Sequence, residues 1–330
     1  MTDRMEDVER FRPRLRGLAY RMLGSVDDAE DVVQEAFLRW HRAGGDGIRS
    51  PEAWLVTVVT RLCLDRLRAI SVERAAYVGP WLPEPLVGDP PEAPDRRVEL
   101  ASDLSMAFLV MLERLAPEER AAFLLHDVFD CGYAEIAQAL GKSEAACRQI
   151  VHRARRRVRE GRPRFQVSPV AHRRLLQQYL EAVRTRDEAR LLALFARDAT
   201  FTSDGGGKTW AARNVIRGAD RIVRLLLGIA RKLPDRVDII APVNGQPGIL
   251  TYMDGRPWAA TSFETDGQRI LSVFRVLNPD KLRRLAALDP PDAVAPGAAS
   301  PSAVTIGWAR ASCHSIGISP MQATSEWRME

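Results

Sequence analysis

The residues whose types and spacing could do chemistry lie first of all between Tyr133 and Arg159, in YAEIAQALGKSEAACRQIVHRARRRVR. Ala145, Arg148, Gln149 and His152 fall off the apolar stripe of a helix, in its N-terminal half. Arginine can pair with guanine and glutamine with adenine through two hydrogen bonds, so Arg148 and Gln149 could read base edges in a major groove. Arg153, Arg155, Arg156, Arg157 and Arg159 follow and suit phosphate oxygens, contacts that position a protein without specifying sequence. From Arg148 to Arg164 there are eight arginines and a single acid, Glu160. A solvated basic helix is the alternative reading of the same residues.

The elements that would position these side chains favour a helix-turn-helix. Ile136 and Leu140 share one face of a first helix. Gly141 permits the positive φ that ends it. Ser143 suits the N-cap of a second helix and Glu144 its positive dipole end. Cys147, Ile150, Val151, Ala154 and Val158 then make a buried stripe. Upstream, Ala29, Val32, Val33, Ala36, Phe37 and Trp40 step at helical spacing, and Asp27, Asp28, Asp31, Gln34 and Glu35 occupy the opposite face. Ser50 and Pro51 read as N-cap and first residue of another helix, with Trp54, Leu55, Val58, Val59, Leu62 and Leu67 toward the core. Arg61, Asp65, Arg66 and Arg68 form its expected solvent face. Pro80 and WLPEPLVGDPPEAPD together hold six prolines and four acids, an extended linker.

After Pro163 the pattern changes. Residues 170–186 and 187–197 read as helices, Thr200–Thr202 as a short strand and Asp204-Gly205-Gly206-Gly207 as a flexible turn. Gly218–Lys232 reads as a helix, followed by strands at Val237–Ile240, Gly248–Met253, Trp258–Phe263 and Ile270–Val276. Helices before antiparallel strands make an α+β domain. Its titratable residues include His172, Asp198, Asp204, Asp238, Tyr252 and Asp254. His172, beside Arg173 and Arg174, is expected at the surface, and Asp204, beside three glycines, in a mobile contact loop. No catalytic residue is assigned.

The 330 residues suffice for two or three domains. With 48 basic and 43 acidic residues the net charge is only +5, so any nucleic-acid binding must come from local clusters. Cys63, Cys131, Cys147 and Cys313 make no metal-ligand spacing, and no metal or cofactor is expected. The first three sit in apolar patterns and read as reduced thiols of a cytoplasmic protein. The charged stretch Met1–Arg16 is unlike a secretion signal, and no apolar run reaches the roughly 20 residues that cross a bilayer.

Three strings in order carry a resemblance. DDAEDVVQEAFLRW (27–40), SPEAWLVTVVTRLCLDRLR (50–68) and LAPEERAAFLLHDVFDCGYAEIAQALGKSEAACRQIVHRARRRVRE (115–160) resemble regions 2.2, 2.3–2.4 and 4 of the extracytoplasmic-function sigma factors of bacterial RNA polymerase. WLPEP (81–85), DGGGK (204–208) and NPDKL (278–282) are similar to the subgroup fused to a SnoaL-like C-terminal domain. The resemblance implies a multidomain chain: two all-α sigma domains at 6–72 and 99–163, a Pro-rich acidic linker at 73–98, an α+β SnoaL-like cone at 168–285 and a flexible tail at 286–330. It implies a transcription-initiation factor, not an enzyme, acting with core RNA polymerase through the β′ clamp helices and the β flap.

On that reading Asp27, Asp28, Asp31, Gln34 and Glu35 meet the polymerase. Arg49, Ser50, Arg61, Asp65 and Arg68 meet the melted −10 strand, where unstacked bases can be captured. Ala145, Arg148, Gln149, His152, Arg153 and Arg156 meet the −35 duplex. Trp54 is open to a core or a stacking role, and Glu84, Asp89, Glu92 and Asp95 to nucleic-acid mimicry or plain spacing. Trp81, Leu82, Pro83, Glu84 and Pro85, with Asp204, Gly205, Gly206, Gly207 and Lys208, are the expected contacts through which the cone regulates in cis; its pocket could hold a small ligand. Two rival readings remain: a helix-turn-helix regulator with a ligand-binding domain, and an isomerase or cyclase with a DNA-binding appendage.

Overall fold

A computed structural model of the chain describes residues 8–43, 48–88, 104–161 and 167–286. The first module is built from α1 (Arg12–Leu23), α2 (Val26–Ala43) and α3 (Pro51–Ala75). The expected stripe of α2 is buried, Ala29, Val32, Val33, Ala36, Phe37 and Trp40 facing Leu55, Val59 and Leu67 of α3. Ser50 caps α3 by accepting from the Ala53 amide at 3.3 Å. Trp54 packs edge-on to Trp40, ring centres 5.5 Å apart, so its indole belongs with the core.

The second module contains α4 (Met106–Leu112), α5 (Pro117–Phe123), α6 (Tyr133–Leu140) and α7 (Glu144–Gly161). Gly141 ends α6 at φ 65°, and Ser143 accepts from the Ala146 amide at 3.2 Å to start α7. Both modules share one hydrophobic core, running from Leu15 and Leu18 through Phe123 and Leu125 to Val151 and Val158.

The third module opens with α8 (Pro169–Thr185) and α9 (Glu188–Leu194). Its sheet holds β1 (Phe195–Asp204), β2 (Ile216–Arg217), β3 (Val237–Val243), β4 (Gln246–Met253), β5 (Arg256–Thr265) and β6 (Ile270–Val276), with α10 (Ala219–Lys232) between β2 and β3. The strand order is β2-β1-β6-β5-β4-β3; β1 and β6 run parallel and the other neighbours antiparallel. A turn at Pro279–Leu282 and α11 (Arg283–Ala286) follow. The segment expected to be helical through residue 197 becomes strand at Phe195, and the short expected strand is ten residues long.

Alternation sends successive strand residues to opposite faces. Ile249, Phe263 and Val273 pack under α8 and α10. Their neighbours Leu250, Phe274 and Val276 face the other way, onto Leu82 of the linker, Met106 of α4 and Leu285 of α11. The sheet is therefore buried on both sides, on one of them by the rest of the chain.

Candidate nucleic-acid interface and the latch beside it

On α7, Ala145, Arg148, Gln149, His152, Arg153 and Arg156 are all exposed while Cys147, Ile150, Val151, Ala154 and Val158 are buried. The helix thus presents one continuous polar face. Arg148 pairs with Glu144 at 2.8 Å and lies 5.0 Å from the centre of the Tyr133 ring. Arg157 reaches Glu119 at 2.5 Å, Arg153 the same carboxylate at 3.7 Å, and Arg155 pairs with Asp127 at 2.8 Å. The Arg148–Glu144 pair is exposed on both sides and worth about 0–1 kcal/mol, so a nucleic-acid contact can displace it at little cost, whereas Glu119 is buried and holds Arg157 more firmly.

The expected −10 residues lie at the N-terminus and along one side of α3. Arg49 and Ser50 are exposed, and Asp65 and Arg68 pair with each other at 2.9 Å. Arg61 is engaged elsewhere: its guanidinium donates to the Gln138 carbonyl at 2.6 Å and the Ala139 carbonyl at 3.1 Å, at the end of α6. A cavity of about 150 Å³ separates the two modules nearby, lined among others by Arg14, Ser50, Glu52, Cys131 and Glu135.

On α2, Asp31 and Gln34 are exposed and Glu35 pairs with Arg39 at 2.8 Å. Asp28 is held by Arg66 of α3 at 2.8 Å, which removes Arg66 from the free solvent face expected of it. Arg284 of α11 binds Asp27 at 2.8 Å and Glu30 at 2.7 Å, and lies 3.7 Å from Glu84. Those carboxylates hold its guanidinium more firmly protonated than usual.

Between the modules the linker is latched to the third domain. Asp204, at the end of β1, is fully buried. Its carboxylate accepts from the Tyr77 hydroxyl at 2.5 Å, the Leu82 amide at 2.9 Å, the Gly206 amide at 3.0 Å and the Lys281 ammonium at 2.7 Å. Burial raises the Tyr77 pKa, and the adjoining Asp204 charge raises it further. Burial lowers that of Lys281, against the pull of Asp204. Trp81 lies between two cations, Arg74 at 3.8 Å and Lys281 at 4.0 Å from its ring centre.

A second clamp lies at the β3–β4 turn. The Asn244 amide nitrogen donates to the Tyr20 hydroxyl at 2.9 Å, and that hydroxyl donates to the Glu84 carbonyl at 2.7 Å. The backbone amide of Asn244 donates to Leu86 at 2.7 Å. The Glu84 side chain accepts from the Val26 amide at 2.7 Å, at the start of α2. Burial raises the Glu84 pKa, and the Val26 amide opposes that shift.

Several expectations need correction. Asp204 is not in a mobile loop: the glycines after it allow close packing, and a Cβ at Gly206, where φ is 60°, would stand 2.2 Å from the Asn278 side-chain amide. Lys208 pairs with Asp280 and not with the linker. Glu84 is buried and engaged, so it does not offer its charge to a channel in this arrangement. His172 is buried at 4% exposure, its Nε2 without a hydrogen-bond partner among the described residues. Burial lowers its pKa to about 4. The titratable residues of the cone are not gathered: Asp198 and Asp254 are exposed, Tyr252 faces the linker side, and Asp238 pairs with Arg236 at 3.0 Å. Asp89, Glu92, Asp95, Cys313 and the tail from residue 287 lie outside the described residues. Tyr77, Asn244 and Arg284 were not anticipated; no periodicity marks them, since each acts across more than 100 residues of chain.

An exposed helix-turn-helix on a core shared with a second helical module has the make-up of a DNA-binding protein. Comparison with known proteins makes the assignment specific. Residues 8–71 match the family model for Sigma-70 region 2, and residues 105–158 that for Sigma-70, region 4. The chain is 38% identical over 290 residues to the ECF RNA polymerase sigma factor SigJ of Mycobacterium tuberculosis, covering 84% of this chain and 92% of that protein. It is 34% identical over 281 residues to a probable ECF RNA polymerase sigma factor, SigI, of the same species, covering 84% and 93%. The crystal structure of the M. tuberculosis SigJ protein is similar at 37% identity with a TM-score of 0.68, over 84% of this chain and 98% of that one. The chain belongs to the extracytoplasmic-function sigma factors. It directs promoter recognition in partnership with core RNA polymerase, and this family acts as initiation factors rather than catalysts.

Proposed function

We propose that this sigma factor is regulated in cis, its C-terminal domain holding the promoter-binding modules closed until polymerase engages them. The observation that carries the proposal is the buried Asp204, which ties the linker at Tyr77 and Leu82 to the C-terminal domain. Two further placements support it. Arg61, assigned to the −10 strand, is occupied by α6, and Arg284 covers part of the acidic face of α2 assigned to the β′ clamp helices.

In the open form Arg148 and Gln149 read the −35 element, with Ala145 and His152 beside them and Arg153 and Arg156 on phosphates. Arg49, Ser50, Arg61, Asp65 and Arg68 then line the melted −10 strand. Asp27, Asp28, Asp31, Gln34 and Glu35 dock on the clamp helices, and the second module meets the β flap. A protein that acts with core RNA polymerase on promoter DNA works in the cytoplasm.

Removing one member of a buried ion pair costs about 3–5 kcal/mol, because the other charge is left uncompensated. In this molecule undocking the linker relieves that cost by giving Lys281 to water, so loss of Asp204 should open the latch rather than unfold the sheet. With core polymerase and a cognate promoter, Asp204→Ala and Lys281→Met should initiate several-fold more often than the wild type when polymerase is limiting. Lys208→Ala, which breaks only a surface pair, should match the wild type. Equal transcription by all four folded proteins refutes the latch.

A further inference from the structure

The C-terminal domain encloses a charged cavity that neither promoter binding nor the latch uses. It lies between α8, α10 and the sheet, walled by Tyr179, Val183, Leu226 and Phe263. Leu180, Ile229, Arg236 and Asp238 retain solvent access, whereas Arg275 on β6 is only 6% exposed.

The charges in this cavity do not balance. Arg236 donates to one Asp238 oxygen at 3.0 Å, and the Thr251 hydroxyl donates to the other at 2.7 Å. The lone carboxylate is thus already engaged. Arg275 lies 5.1 Å from the centre of the Trp258 ring, and its Nε is buried with no hydrogen-bond partner among the described residues. Two guanidiniums therefore share one carboxylate in an apolar surround, where an unpaired cation is costly. The complement to that arrangement is an anion with an acceptor for Arg275.

We propose that the cavity binds a small carboxylate whose acid group pairs with Arg275 and whose short aliphatic body lies at the cavity mouth along Leu180 and Ile229. The enclosed space of about 20 Å³ has room for little more than the acid end, so the aliphatic body stays at the mouth, where Leu180 and Ile229 retain solvent access. A planar guanidinium offers a carboxylate paired donors, and the apolar walls favour an organic acid over an inorganic ion. The proposal rests on this domain's own geometry and is independent of the cis-regulation reading.

The test is calorimetric titration of the full-length protein with butyrate, and with butanol and butylamine as controls, at neutral pH and fixed ionic strength. Butyrate should bind and the two controls should not. Arg275→Met should weaken binding about tenfold or more, as expected for a lost charge-assisted hydrogen bond. Asp238→Asn, which keeps the acceptor for Thr251 but removes the competing charge, should bind butyrate more tightly; this variant still decides the matter if Arg275→Met does not fold. No heat with butyrate, equal binding of butanol, or weaker binding by Asp238→Asn overturns the proposal.

Discussion

His172 shows how a single side chain can be misread and then tested. Its neighbours Arg173 and Arg174 suggest a surface, yet 172, 175, 176, 179 and 183 fall on one helical face, and that face is buried. The periodicity was therefore in the sequence, and the flanking charges obscured it. Burial holds the imidazole neutral down to about pH 4, while in the unfolded chain it takes up a proton near 6.5. Between those values the unfolded state binds more protons, so the domain loses stability as pH falls from 6.5 toward 4 and keeps that contribution above 6.5. The full effect is about 3 kcal/mol. His172→Leu should flatten this part of the stability curve, read by urea denaturation at pH 7 and pH 5; an unchanged pH dependence would show that His172 is not its source. Asp204 is the opposite case. Three glycines after an acid look like a loose turn, and nothing local reveals that Tyr77, Leu82 and Lys281 converge there.

At the scale of elements, the helix-turn-helix was the most legible. Ile136, Gly141, Ser143 and the stripe from Cys147 to Val158 each carry a local signal, and all take the places those signals require. The strand Ile270–Val276 was equally readable, because turn residues bound it and its residues are mostly β-branched or apolar. The ten-residue β1 was less so: Arg197 and Asp198 interrupt its pattern at an irregular register. The proposed division of labour along α7 makes a direct prediction. Arg148→Ala should lose about 1–3 kcal/mol of discrimination at one promoter position. Arg153→Ala should weaken binding to all promoters alike and flatten the salt dependence of binding, since phosphate contacts release counterions whatever the base sequence. Binding of holoenzyme to a set of single-base −35 variants at two salt concentrations separates the two. Identical profiles for both substitutions would contradict these assignments.

For the whole molecule, what the sequence could not disclose is the docking of its parts. An alternating strand shows that it has two faces but not what covers each. Here the second face of the sheet packs on Leu82, Met106 and Leu285, while Trp81 is gripped by Arg74 from the first module and Lys281 from the third. These contacts bring residues from all the modules together around the linker, so the proposed opening would have to break them together. The most direct test is transcription in vitro with purified core polymerase and genomic DNA fragments. The protein should associate with the polymerase and start transcripts at a defined set of promoters, and neither component alone should do so. A folded protein that fails to join core polymerase, or that selects the same duplex sites without it, contradicts the account.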